Sequence, residues 1–175
     1  ALRKYIKSSI NSKLLEKSKS DTITLLALFD ELGIDKTLSL IEGMFSIAIF
    51  YFGTKKLHLI RDHFGQKPLY YSYLNGDLIF ASEIKALRLL LDQDLTINRN
   101  CLLLPILQTH LPDSDRTIFK NIYSLEPGQM LVSDENQFTK KIEYFNITSL
   151  ISESSYKNHE KMKLNDLTSK LCFQL

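Results

Sequence analysis

Asn75-Gly76 stands between two runs, Leu69–Leu74 and Asp77–Ser82, each able to alternate as a strand. Both residues tolerate the positive φ of a type I′ turn, whose twist matches that of paired strands, so the dipeptide predicts an antiparallel hairpin. Upstream, Met44 to Phe52 has Phe45, Ile47, Ile49 and Tyr51 on one face and Met44, Ser46, Ala48, Phe50 and Phe52 on the other. Both faces are apolar or small, which predicts a strand covered on both sides. Gly53-Thr54 makes a turn, and Leu57, Leu59 and Arg61 alternate along the next strand. Strands joined by turns this tight are antiparallel.

Helical spacing lies on either side of this block. Ser20 can cap a helix and Asp21 favours its positive end, while Leu25, Leu26, Phe29 and Leu32 recur at three- and four-residue steps. Gly33 closes it, and a short helix from Lys36 to Ile41 follows, ending at Gly43. Leu2 to Ile10 reads as the end of an earlier helix, and Asn11 to Lys19 as a polar loop. Ser82 caps a further helix with Ile84, Leu87 and Leu91 on its buried side. Helices and strands are segregated rather than alternating, so the fold class is α+β.

Beyond Gln93 the pattern is weaker. Asn98 to Thr109 has helical character interrupted by Pro105, and Arg116 to Leu125 reads as an irregular or edge segment. Glu126-Pro127-Gly128 places Pro and Gly in the type II turn positions. Met130–Ser133 and Lys140–Phe145 form a last hairpin around Asp134-Glu135-Asn136. The tail from Ser149 to Leu175 is polar, then weakly amphipathic, like the start of a helix leading elsewhere.

Charge and motif content exclude several functions. With 22 basic and 20 acidic residues the net charge is +2, against a dedicated nucleic-acid binder. No apolar run approaches the roughly 18 residues of a membrane span. No apolar stretch follows Arg3 and Lys4, so the start does not read as a secretory signal, and the expectation is a cytoplasmic protein. Cys101 and Cys172 are too few and too far apart for a disulfide framework or a zinc site, and the four histidines show no ligand spacing with them, so no metal site is expected. There is no glycine-rich phosphate loop, no His-Glu-x-x-His and no Gly-x-Ser-x-Gly.

Two clusters remain. Ser20-Asp21-Thr22 opens a helix and needs only a capping role. In Arg61-Asp62-His63-Phe64-Gly65-Gln66-Lys67-Pro68-Leu69-Tyr70-Tyr71 a strand ends in adjacent opposite charges, Gly65 allows a tight turn and Pro68 fixes φ for the next strand. A structural turn, with Arg61 and Asp62 bonding loop backbone, accounts for it.

Taken in order with Glu42-Gly43-Met44-Phe45-Ser46-Ile47-Ala48, Phe80-Ala81-Ser82-Glu83-Ile84-Lys85-Ala86-Leu87, Thr117-Ile118-Phe119-Lys120-Asn121-Ile122 and Leu125-Glu126-Pro127-Gly128-Gln129, these clusters resemble the class II glutamine amidotransferase domain of glutamine-hydrolysing asparagine synthetases. The resemblance covers about residues 1–145. It implies part of an αββα sandwich of antiparallel sheets, of the kind formed by N-terminal-nucleophile (Ntn) hydrolases. It implies 1–148 as the C-terminal part of that domain and 149–175 as a linker and first helix towards an ATP-dependent synthetase domain.

In that family an N-terminal cysteine attacks the amide of glutamine with its own α-amine as base, and the ammonia passes to a synthetase domain that activates aspartate with ATP and magnesium. By this resemblance the chain lacks the nucleophile segment, since Ala1 carries no thiol and neither cysteine matches the nucleophile position. No catalytic residue is therefore assigned, no cofactor is expected in the chain itself, and the chain alone is expected to be inactive. One ligand carries over: Asp21 would receive the α-ammonium of glutamine. Ile23 stands where the family usually has Glu, and Pro105 is a second departure. Arg61 and Asp62 would support the structure or a domain interface. The implied partners are glutamine and the synthetase domain, with a homodimer possible for the intact enzyme. Two other readings stay open: a non-catalytic glutamine-binding or regulatory remnant, and the same domain serving a synthetase with another acceptor.

Overall fold

The computed structural model describes residues 2–7, 12–13, 15–16, 20–91, 96–99 and 115–150, of which residues 149 and 150 are described by backbone alone. The helical expectation for Asn98 to Thr109, with Pro105, falls mostly outside the described residues, as do Cys101, Cys172 and most of the tail. The chain divides into two compact units, Ala1–Tyr144 and Phe145–Leu175. In the second, a 3₁₀ turn spans Ile147–Leu150 and the Asn146 side chain accepts from the Thr148 backbone N–H at 2.9 Å.

Helix α1 spans Asp21–Leu32. Ser20 caps it, its hydroxyl accepting from the Thr22 N–H at 3.2 Å, and Gly33 closes it at φ +77°, donating to the Phe29 carbonyl at 3.1 Å. Its buried residues are Thr24, Ala27, Leu28 and Phe29, whereas Leu26, placed in the buried stripe by periodicity, is 51% exposed. The stripe shifts because the helix packs on two sides. Phe29 meets the sheet, and Ala27 and Leu28 meet Ile6 and Leu15 of the N-terminal segment. That segment contains a 3₁₀ turn at Leu2–Tyr5, and residues 12–13 and 15–16 are helical where a loop was expected. Helix α2 spans Ile34–Leu38, starting and ending earlier than the sequence suggests.

Among the described residues seven strands follow: β1 (Ser46–Tyr51), β2 (Lys56–Arg61), β3 (Tyr70–Leu74), β4 (Asp77–Ala81), β5 (Tyr123–Ser124), β6 (Gln129–Ser133) and β7 (Thr139–Glu143). Helix α3, Ile84–Leu90, lies between β4 and β5 in the chain. Its N-cap residue is Glu83, with no side-chain capping bond, so Ser82 does not serve as the cap. All pairings are antiparallel, in one sheet ordered β1-β2-β6-β7 and another ordered β4-β3-β5.

The turns explain the register. Asn75 and Gly76 have φ of +52° and +92°, as a type I′ hairpin requires, and Leu74 pairs with Asp77 directly across it. Gly128 has φ +68° and the Gln129 N–H reaches the Glu126 carbonyl at 3.2 Å, as expected for the type II turn. Between β1 and β2 the positive φ falls on Lys55 rather than on Gly53. Asp134 holds the last hairpin, one carboxylate oxygen accepting from the N–H groups of Asn136 and Phe138.

Three cores separate four layers. Ile60 and Met130 pack outward against Phe29, Leu38 and Ile41 on the helical side. Leu59 and Leu131, one residue along, face Leu69, Tyr71 and Leu125 of the second sheet. On that sheet's far side Leu87 and Leu91 close over Ile122, Ile79 and Leu74. At about 25 cal/mol per Å² these apolar contacts are the main force joining the layers. The strand covered on both faces is thus β2, with Leu59 and Ile60 both fully buried. The expectation for β1 is corrected. It lies at the sheet edge, pairs only with β2 among the described residues, and leaves Ala48 and Phe50 exposed.

Candidate functional site

Because β1 is an edge strand, a groove runs along it. Thr22, Leu25, Leu26 and Phe29 of α1 form one wall, and Met44 to Ile49 form the floor. Lys67, Pro68 and Ser82 close the other side, and the groove encloses about 570 Å³. Its lining is mostly apolar, with hydroxyls at Thr22, Ser46 and Ser82 and an ammonium at Lys67.

Asp21 opens α1 one residue before Thr22 and is exposed. It stands beside the groove and is not one of its lining side chains. Its carboxylate is placed where the free N–H groups of the first helical turn favour negative charge.

The loop that carries Lys67 and Pro68 to the groove is held by Arg61 and Asp62. The fully buried Asp62 carboxylate accepts from the backbone N–H groups of Phe64 (3.1 Å), Gln66 (3.0 Å) and Lys67 (2.8 Å). Burial pushes this carboxyl's pKa up, and those donors overcome it, leaving it below the ordinary aspartate value. The Asp62 carbonyl accepts from Gly65 and Gly128, both at 3.0 Å. Arg61 donates to the carbonyls of Lys67 (3.0 Å), Gly65 (2.7 Å) and Leu125 and to the Ser124 hydroxyl (3.0 Å). The Tyr144 hydroxyl donates to the Arg61 carbonyl at 2.6 Å, and burial followed by the Asp62 charge raises that phenol's pKa. The His63 ring packs edge-on between Phe45 and Tyr144, at 5.9 and 5.5 Å.

The structure therefore brings Arg61 and Asp62 together on one loop and sets Asp21 apart at the helix mouth, with the groove between the two elements. Sequence reasoning missed Lys67, Pro68 and Ser82 as wall residues. The first two lie inside the motif that drew attention to Arg61 and Asp62, which was the available signal. Tyr144, 83 residues from Arg61, gave none. No group of three or more His, Cys, Asp or Glu is placed to hold a metal ion among the described residues, and no helix there is long and apolar enough to cross a membrane.

Residues 3–145 match the glutamine amidotransferase domain family. The chain is 45% identical over 84 residues to asparagine synthetase [glutamine-hydrolyzing] 2 of Bacillus subtilis, covering 48% of this chain and 11% of that protein. It is 31% identical over 135 residues to a putative asparagine synthetase [glutamine-hydrolyzing] 2 of Methanocaldococcus jannaschii, covering 74% and 25%. It thus spans a quarter or less of the length of these curated relatives. A solved structure described as the allosteric regulatory enzyme of purine biosynthesis superposes with a TM-score of 0.51 at 17% identity, over 81% of this chain and 27% of that one. That likeness speaks to fold alone, and the fold is the Ntn-hydrolase-like αββα sandwich seen here in four layers. The chain belongs to the glutamine amidotransferase domain family, in the form carried by glutamine-hydrolysing asparagine synthetases.

Proposed function

We propose that this chain is the glutamine-gripping portion of a longer glutamine-dependent synthetase, with Asp21 receiving the α-ammonium of glutamine above the groove along β1. In the intact protein the released ammonia passes to a synthetase domain that uses ATP and magnesium to amidate aspartate, within asparagine biosynthesis in the cytoplasm. The single supporting observation is the position of Asp21. An exposed carboxylate at the first turn of α1 adjoins Thr22, which lines a groove floored by the edge of the first sheet.

The lining also supports binding without cleavage by these residues alone. Its hydroxyls, at Thr22, Ser46 and Ser82, have no histidine, carboxylate or cysteine beside them among the described lining residues. Glutamate release by the purified chain would contradict that part of the reading. Calorimetric titration with glutamine tests the grip. The expected result is measurable affinity that drops at least about tenfold in Asp21→Asn, as loss of a charge-assisted contact implies. Equal affinity in the two proteins would remove Asp21 from the site.

A further inference from the structure

His58 is the residue out of pattern on the outward face of the first sheet. The register sets it in a row with Ile49, Val132 and Lys140, beside the row of Ile47, Ile60, Met130 and Ile142. Its Nδ1 is buried and has no hydrogen-bond partner among the described residues. The Tyr51 ring stands edge-on against it at 5.5 Å, and Ile34 and Asp35 of α2 border the same space.

A neutral imidazole carries one N–H and the imidazolium carries two. Whichever nitrogen bears the first proton, the cation must hold an N–H at the buried Nδ1, where nothing accepts it. That loss adds to the cost of burying the charge itself. The surrounding groups do not offset it. Burial lowers the pKa of His58 most, Lys56 on the same strand lowers it further, and Asp35 on α2 opposes both without prevailing. Lys140 on β7 is a further cation in the row, and one oxygen of Asp134 is turned into its own hairpin, accepting from Asn136 and Phe138. Tyr51 is a neutral phenol, its pKa raised by burial and then by Asp30.

The cover over His58 is tied to the groove along β1. The Tyr51 hydroxyl donates to the Phe29 carbonyl at 3.4 Å, on the last turn of α1. Phe29 lines the groove, and so does Ile49, the direct partner of His58 on β1. Helix α2 is five residues long, so moving it and one aromatic ring disturbs far less than opening the sheet.

We propose that His58 is an acid-sensitive latch: taking up a proton forces Tyr51 and α2 away from its ring, which frees the last turn of α1 and loosens the groove. As regulation of glutamine binding, this rests on the assignment of that groove to glutamine. The sign is fixed. The folded state resists the proton more than the unfolded chain does, so stability held above about pH 6.5 is lost below it.

Nitrogen NMR of the histidine rings, followed through a pH titration of the full chain, tests the latch. His58 is expected to titrate below the ordinary histidine range, and the amides of Ile34 to Leu38 and of Phe29 are expected to shift with the same midpoint. His58→Leu continues the aliphatic row and cannot titrate. On urea unfolding, the folded-to-unfolded ratio of wild type relative to this variant is expected to fall about threefold or more between about pH 7 and about pH 5. Glutamine affinity is expected to weaken by a similar factor in wild type and to stay level in the variant. The proposal is overturned if His58 titrates in the ordinary range, if the α2 amides stay unmoved through its titration, or if the two proteins lose stability in parallel. Should the variant not fold, the wild-type titration alone decides. An equal loss of glutamine affinity in both proteins overturns the coupling to the groove. A groove that binds no glutamine at either pH removes the glutamine assignment, and the titration and unfolding still decide the latch.

Discussion

Arg61 and Asp62 hold Lys67 from both ends of its backbone: the guanidinium Nε donates to its carbonyl at 3.0 Å and the carboxylate accepts from its N–H at 2.8 Å. Neighbouring residues of opposite charge thereby fix one wall of the groove along β1.

Asp62→Asn is expected to destabilise the protein by about 2–3 kcal/mol, since one amide cannot replace a carboxylate that accepts three buried N–H groups. Urea unfolding at constant slope measures it. The pH dependence has a definite sign. The folded-state pKa of Asp62 lies below its unfolded value, so its stabilisation is complete above about pH 4 and is lost as pH falls through the folded pKa. The gap between wild type and variant should therefore narrow in acid. A gap that stays constant from about pH 7 to about pH 3 would contradict the assignment.

Gly65→Ala should cost about 1–3 kcal/mol. Gly65 has φ +64°, and a Cβ there would meet Pro127 Cγ at 2.7 Å and Arg61 Cζ at 3.1 Å. Gly53→Ala should stay within about 0.5 kcal/mol, because a Cβ at Gly53 meets nothing within 4 Å. Calorimetric melting of both variants separates the two, and similar losses would mean that the Arg61 loop does not set the tolerance.

Ala48→Lys tests the sheet edge. Ala48 is exposed on β1, and an unpaired edge with apolar neighbours templates association between chains. The lysine is expected to lower the aggregation rate on light scattering while leaving the urea midpoint nearly unchanged. Faster aggregation would show that the edge is not the surface through which chains associate.

Ser20→Ala removes the hydroxyl that accepts from the Thr22 N–H and should cost about 1 kcal/mol. Asp21→Asn should cost much less, since Asp21 is exposed and does not make that capping bond. Chemical denaturation of the pair distinguishes the structural role of Ser20 from the ligand role proposed for Asp21.

The local parts of the fold were legible. Asn75-Gly76, Pro127-Gly128 and Ser20 each encode a backbone conformation within four residues, and the structure realises all three. What failed depends on distant neighbours. The apolar faces of Met44 to Phe52 look like those of a buried strand, yet β2 takes that place because β6, from 70 residues further on, pairs beside it. Leu26 fits a helical stripe and is instead turned to the groove wall, since the N-terminal segment claims Ala27 and Leu28. Of the site, Asp21, Arg61 and Asp62 stood out by local pattern. The carbonyl of Leu125, 64 residues from Arg61, and the hydroxyl of Tyr144 had no local trace.

The Arg61–Asp62 clamp grips mostly main-chain atoms: the amides at 64, 66 and 67 and the carbonyls at 65, 67 and 125. The identity of exposed Gln66 is consequently decoupled from loop geometry. An engineer could rewrite that outward position to reshape the surface beside the groove, leaving the placement of Lys67 and Pro68 untouched.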